Sequence, residues 1–153
     1  MSQKLHFVAD IQADVERVWH VMLDDETYRV WTLEFNPGGS WYEGSWEQGS
    51  KIHFLGPNPE TGELGGMLSE IAENRPYEFV SIRHLGFIVD GKEVTDTPEI
   101  QSWAPAYENY TFVKQEDGTT QLIVDLDSMQ EWAEMFSEMW PRALKKLKEM
   151  CEA

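Results

Sequence analysis

The sequence holds one cysteine in 153 residues, Cys151. An internal disulfide is therefore impossible, and neither a secreted disulfide scaffold nor a cysteine-rich metal site fits. No basic segment followed by an apolar one opens the chain, so a signal peptide is not expected. No apolar run approaches the roughly 18 residues of a membrane span. Basic side chains are scarce: 12 Lys and Arg stand against 28 Asp and Glu, a net charge of −16. Phosphate binding relies on Lys and Arg, so nucleic acid and anionic membranes are poor partners and membrane insertion is not expected. The plain meaning of the acidity is solubility. A reducing, cytoplasmic setting follows as the expectation.

Signatures of chemistry are missing as well. HExxH is absent, as is the GxSxG elbow of serine hydrolases. The glycines of "LGPNPETGELGG" are not followed by GK[ST] and do not precede a helix, so they form no phosphate loop. No metal or cofactor is expected. Cys151, two residues from the end of an amphipathic segment, reads as an apolar filler rather than a nucleophile. Carboxylates are so numerous that Glu34, Glu43, Glu47 and Glu108, each near aromatic residues, carry little individual signal.

Large aromatics are abundant. Seven Trp, five Tyr and seven Phe supply far too much apolar area for a disordered chain. The length suits one domain, 1–153, with a core of its own. "KLHFVADI" alternates, with Leu5, Phe7, Ala9 and Ile11 on one side of a strand. "ADVERVWHVM" then changes period, and Val15, Val18, Trp19 and Met22 form a helical stripe. Asp24 and Asp25 can end that helix and cap a second, "ETYRVW". "SKIHFL", "MLSEIAENRP" and "YEFVSIRHLGFIV" read as strands, and "YENYTFVKQEDGTTQLIVDLD" as a hairpin turning at "EDGT". "DGKEVTDTPEIQSWAP" is a polar excursion without clear period. The fold class is α+β: consecutive antiparallel strands with one dry face, two short helices after the first strand, and a long last helix covering that face.

Four segments, taken in order, carry a resemblance: "IQADVERVWHVMLDDETYRVW", "GSWEQGSKIHF", "GGMLSEIAENRPYEF" and "MWPRALKKLKEMCE". Over nearly the whole chain this order resembles the START-like (SRPBCC) superfamily, and within it the branch of the activator of the heat-shock protein 90 ATPase homologue. The resemblance implies a helix-grip fold, a curved antiparallel sheet wrapped around a long C-terminal helix. It also implies a hydrophobic cavity between the two. The superfamily includes lipid carriers, hormone receptors, cyclases and dehydratases, oxygenase subunits and chaperone activators, so the fold alone does not assign function. The branch offers no catalytic motif to carry over.

The aromatic residues give the candidate site. Trp31, Phe35 and Trp41 surround the "NPGGS" loop, Trp103 precedes "APA", and Trp132, Phe136, Met139 and Trp140 line the last helix. The strands add Phe54, Met67, Ile82, His84, Phe87 and Tyr110. Leu, Ile and Val fill a sealed core more economically, whereas Trp, Phe and Met suit a pocket for an apolar or aromatic small molecule. Among the histidines, His6 and His53 lie opposite the apolar residues of their strands, and His20 sits at the edge of a helical stripe. His84 shares parity with Val80 and Ile82 and belongs on the dry face, as a core histidine or as a ligand contact or base. Binding without catalysis is the first reading. The alternatives are a protein-interaction module of the chaperone-activator type, with a protein partner or homodimer, and a cyclase- or dehydratase-like enzyme using His84 and a buried carboxylate. Pro141 interrupts the last helix and is expected to kink it rather than start a second one, because the apolar stripe continues through it.

Overall fold

The computed structural model describes residues 2–153. Strand β1 (Ser2–Ile11) leads into helices α1 (Val15–Leu23) and α2 (Asp25–Trp31), then a single 3-10 turn, Thr32–Glu34. Strands β2 (Trp41–Gly44), β3 (Lys51–Pro57), β4 (Leu64–Arg75), β5 (Phe79–Val89) and β6 (Lys92–Val94) follow. A short helix α3 (Pro98–Trp103), the hairpin β7 (Ala106–Lys114) and β8 (Thr120–Met129), and helix α4 (Gln130–Glu152) complete the chain. All neighbouring strands pair antiparallel, in the order β1-β8-β7-β5-β4-β3-β2, with β6 pairing with β5. The open, curved sheet and the long helix α4 against its inner face make an α+β helix-grip fold.

Local chemistry sets these elements. Asp14 caps α1 by accepting from the Arg17 backbone N–H at 2.9 Å. Val18, Met22 and Trp19 turn into the core. Trp46 and Tyr42 both donate to the Leu23 carbonyl, at 3.0 and 2.7 Å, which ties the corner between α1 and α2 to the sheet's β2 end. The polar excursion gains structure from its own signals. Asp90 and Gly91, both at positive φ, turn β5 into β6. Thr97 accepts from the Ile100 N–H, and Pro98 stands at the start of α3. "TPE" was a legible helix start that the missing periodicity of the segment concealed.

Two register shifts interrupt the β4–β5 ladder. At the first, Leu68 pairs with Gly86 and Ser69 with His84, so Leu85 is the extra residue. His84 and Phe87 both reach the inner side, whereas Leu68 and Ile88 pack outside with Leu55 and Trp41. The outer face therefore holds a small apolar cluster of its own. Glycine is required where β4 passes β3 under the site: Gly66 has φ +147°, and a Cβ there would lie 1.8 Å from the Phe54 carbonyl oxygen. Helix α4 runs unbroken for 23 residues with Pro141 inside it, so the proline does not begin a second helix.

Candidate functional site

Between the inner face of the sheet and the first half of α4 lies a cavity of about 340 Å³. Its walls come from α2 and the following turn (Tyr28, Trp31, Phe35), β3 to β5 (Phe54, Met67, His84), α3 (Trp103), β7 (Glu108, Tyr110) and α4 (Trp132, Phe136, Trp140). The exposed Asn58 and half-buried Asn36 and Ser40 also border it, so it reaches the surface between those loops. Asn36 holds that rim together, donating to the Pro57 carbonyl at 2.8 Å and accepting from the Gly38 N–H at 3.0 Å.

Ten of the fourteen residues expected from sequence border this cavity: Trp31, Phe35, Phe54, Met67, His84, Trp103, Tyr110, Trp132, Phe136 and Trp140. Trp31 and Trp140 are nearly sealed, at 1% and 4% exposure, and their rings lie 6.0 Å apart. Trp31 satisfies its indole by donating to the Met22 carbonyl at 3.1 Å. Phe35 meets Trp140 edge-on at 5.0 Å and Phe136 at 6.4 Å. These contacts make the wall a connected aromatic lattice.

Four expected residues do not border it. Trp41 pairs with Leu55 across β2 and β3, and both join the outer cluster, so its side chain lies on the other side of the sheet. Ile82 points inward but is opposite Ile71, and the two are sealed in the core at 1% exposure each. Phe87 packs at a tilt against Trp103 and Trp132, with centroids 5.3 and 5.4 Å away, which places it behind the wall, beside a neighbouring surface groove. Met139 flanks the apolar stripe of α4 and is half-buried away from the cavity.

The polar end of the cavity is a connected set. His84, with a side chain 5% exposed, lies 3.0 Å through Nε2 from Glu108 Oε1 and 2.7 Å through Nδ1 from Ser69 Oγ. The Tyr110 hydroxyl donates to the other Glu108 oxygen, Oε2. With Glu108 ionised, one tautomer satisfies every group: Nε2–H donates to Glu108, and Nδ1 accepts from the Ser69 hydroxyl. The imidazole face is covered by Trp103, 5.8 Å away at an interplanar angle of 14°, and Phe54 approaches edge-on at 6.1 Å. Burial pushes the Tyr110 pKa well up, and the adjacent Glu108 charge adds to this. The Tyr28 pKa is also raised, by burial first and then by Glu108.

Glu108, Ser69 and Tyr28 were not singled out by sequence as site residues. Glu108 shares parity with Tyr110 and Phe112 on β7, so the alternation that placed those two inward also placed a carboxylate there. Ser69 shares parity with Met67 and Ile71 on β4, so the same alternation turned it inward, but its meeting with His84 depends on the bulge in β5. The remaining histidines lie elsewhere. His6 pairs with Asp125 at 2.5 Å, His20 with Asp24 at 3.2 Å and His53 with Glu93 at 2.9 Å. Among the described residues, no group of three or more His, Cys, Asp and Glu is placed to hold a metal. Among the described residues, no helix is long and apolar enough to cross a membrane.

No protein-family model matches the chain. No curated protein matches it in sequence. Solved structures do match in fold. A protein from Mycobacterium smegmatis is 21% identical with a TM-score of 0.71, the match covering 98% of this chain and 91% of that one. A protein of unknown function from Staphylococcus aureus is 11% identical, with a TM-score of 0.73 and coverage of 99% and 94%. A protein from Mesorhizobium loti is 12% identical, with a TM-score of 0.70 and coverage of 97% and 96%. At these identities the likeness concerns the fold.

Proposed function

We propose that this chain is a START-like (SRPBCC) domain of the cytoplasm that binds an apolar or aromatic small molecule, without chemistry of its own. The observation that carries this reading is the cavity of about 340 Å³ walled by aromatic side chains from the sheet, α2, α3 and α4. Its volume falls within the roughly 300–1,000 Å³ of small-molecule sites, and a few convergent polar groups at one end match their usual build. Four tryptophans border the cavity, so occupancy should alter indole emission. The test is native mass spectrometry of protein purified from cells, followed by titration with a panel of lipids and aromatics. Retained mass or a saturable emission change is expected. Protein that carries no ligand and whose fluorescence ignores the whole panel would remove this reading.

The hydrogen-bonded His84–Glu108 pair favours one second reading, an acid–base enzyme of the cyclase or dehydratase type. Against it, both imidazole nitrogens are already engaged within the protein. A turnover abolished by His84→Asn and by Glu108→Gln, with binding of the same substrate retained, would carry it. The interaction-module reading has less support. Among the large apolar side chains of the described part of α4, Met135 alone is exposed, at 40%.

A further inference from the structure

This inference rests on the cavity being a small-molecule site and names the class of molecule. Among the described residues, two carboxylates, Glu108 and Asp127, border the cavity, and no Lys or Arg does. Asp127 is already engaged from two directions: Lys4 Nζ lies 2.8 Å from Oδ1, and the Tyr107 N–H donates to Oδ2 at 3.0 Å. Among the described residues, Glu108 has no basic side chain beside it other than the imidazole of His84. An ionised carboxylate offers about four acceptor positions. His84 and Tyr110 take one each, so Glu108 keeps acceptor capacity, and its side chain is 16% exposed.

We infer that the cavity receives an organic cation: an apolar or aromatic body bearing one protonated amine, with the ammonium donating to Glu108. Three physical arguments converge. A largely buried carboxylate with only an imidazole beside it is costly, and a ligand cation supplies a full partner. A cation entering a dry site also loses its hydration, and aromatic faces within about 6 Å offset part of that loss. Trp103 and Phe54 surround the imidazole that bonds Glu108, their centroids 5.8 and 6.1 Å from its own, and Tyr28 lies 6.2 Å from Phe54, so aromatic side chains wall the space beside the carboxylate. An anionic ligand is disfavoured twice, by Glu108 at short range and by the net charge of −16 at long range. Fatty acids and phosphate esters are thus poor ligands for this particular member of the fold. The cavity volume corresponds to on the order of ten waters, which suits a body of one or two rings.

The test compares probes that share one body and differ at the end: phenylbutylamine, phenylbutanol and phenylbutyrate, with butylbenzene as the apolar reference. Binding is read by tryptophan emission and by calorimetry at neutral pH. A charge-assisted hydrogen bond exceeds a neutral one by enough to favour the amine over the alcohol by about tenfold. The carboxylate should bind weakest of the four. Glu108→Gln should reduce the amine preference over the alcohol to within about threefold, each probe being scored against butylbenzene binding to the same variant. If that variant fails to fold by circular dichroism, the wild-type ranking alone decides. Equal binding of amine and alcohol would overturn the inference and leave the cavity reading intact. Preference for phenylbutyrate would overturn it as well. Absence of binding by all four probes would overturn both the inference and the reading beneath it.

Discussion

The two halves of α4 face the same sheet and do different things. After Pro141, Ala143, Leu144, Leu147 and Cys151 are all at most 5% exposed. They pack against β1 and α1, and Arg17 closes the end by donating to the Cys151 and Met150 carbonyls at 2.6 and 3.1 Å. Before Pro141, Trp132 and Phe136 are half-buried and border the cavity. Small and branched residues allow helix and sheet to close upon each other. Bulky, flat residues hold them apart and leave a space that only a ligand or solvent fills. Trp140 stands at the junction, touching Phe7 on the packed side and Phe35 on the cavity side.

The difference can be broken most severely at Leu147. Leu147→Ala removes a fully buried side chain and should cost about 2–5 kcal/mol in denaturant unfolding. Phe136→Ala should cost clearly less, because its ring already borders open space, while weakening any ligand. Equal losses would mean that the two halves are packed alike.

Alkaline pH separates the halves by the order in which they respond. Burial pushes the Cys151 thiol up to about 12, from an ordinary 9.0, and also raises Tyr28 and Tyr110 above their ordinary 10.0. The unfolded chain releases these protons first, so it binds fewer of them, and stability falls as pH rises. Each group contributes a slope of about 1.4 kcal/mol per pH unit once its unfolded form titrates. The loss should therefore begin near pH 9, and in Cys151→Ala near pH 10. A stability that is flat between pH 9 and 11 would contradict the burial of all three groups.

A smaller effect is expected at the junction itself. Pro141 withholds the N–H that would otherwise bond within the helix, so Pro141→Ala should raise stability by about 1 kcal/mol. A loss would mean that the shape imposed by the proline is needed for packing. The smallest change belongs to Met135, which is exposed on the cavity half. Met135→Gln should alter stability by no more than about 0.5 kcal/mol and leave ligand binding as it is. A change in oligomeric state on sedimentation would instead favour the interaction-module reading.

Much of this was written locally. Alternation placed Phe54, His84 and Tyr110 on the inner face, and the spacing of Trp132, Phe136 and Trp140 put them on one helical side. Periodicity reads such facts because it depends only on backbone geometry. What it could not read was the assignment of Trp41, Ile82, Phe87 and Met139. Strand pairing carried Trp41 to the outer cluster, and sealing by Ile71 withdrew Ile82 from the void. The extra residue at Leu85 broke the parity between His84 and Phe87. The composition and period of this sequence by themselves determined an acidic α+β chain with an aromatic face awaiting cover. The tertiary structure alone decided where that cover fails to close, and that His84, Ser69, Glu108 and Tyr110 meet there. Those residues come from three strands, and only register, which is set between strands, can bring them within hydrogen-bond distance.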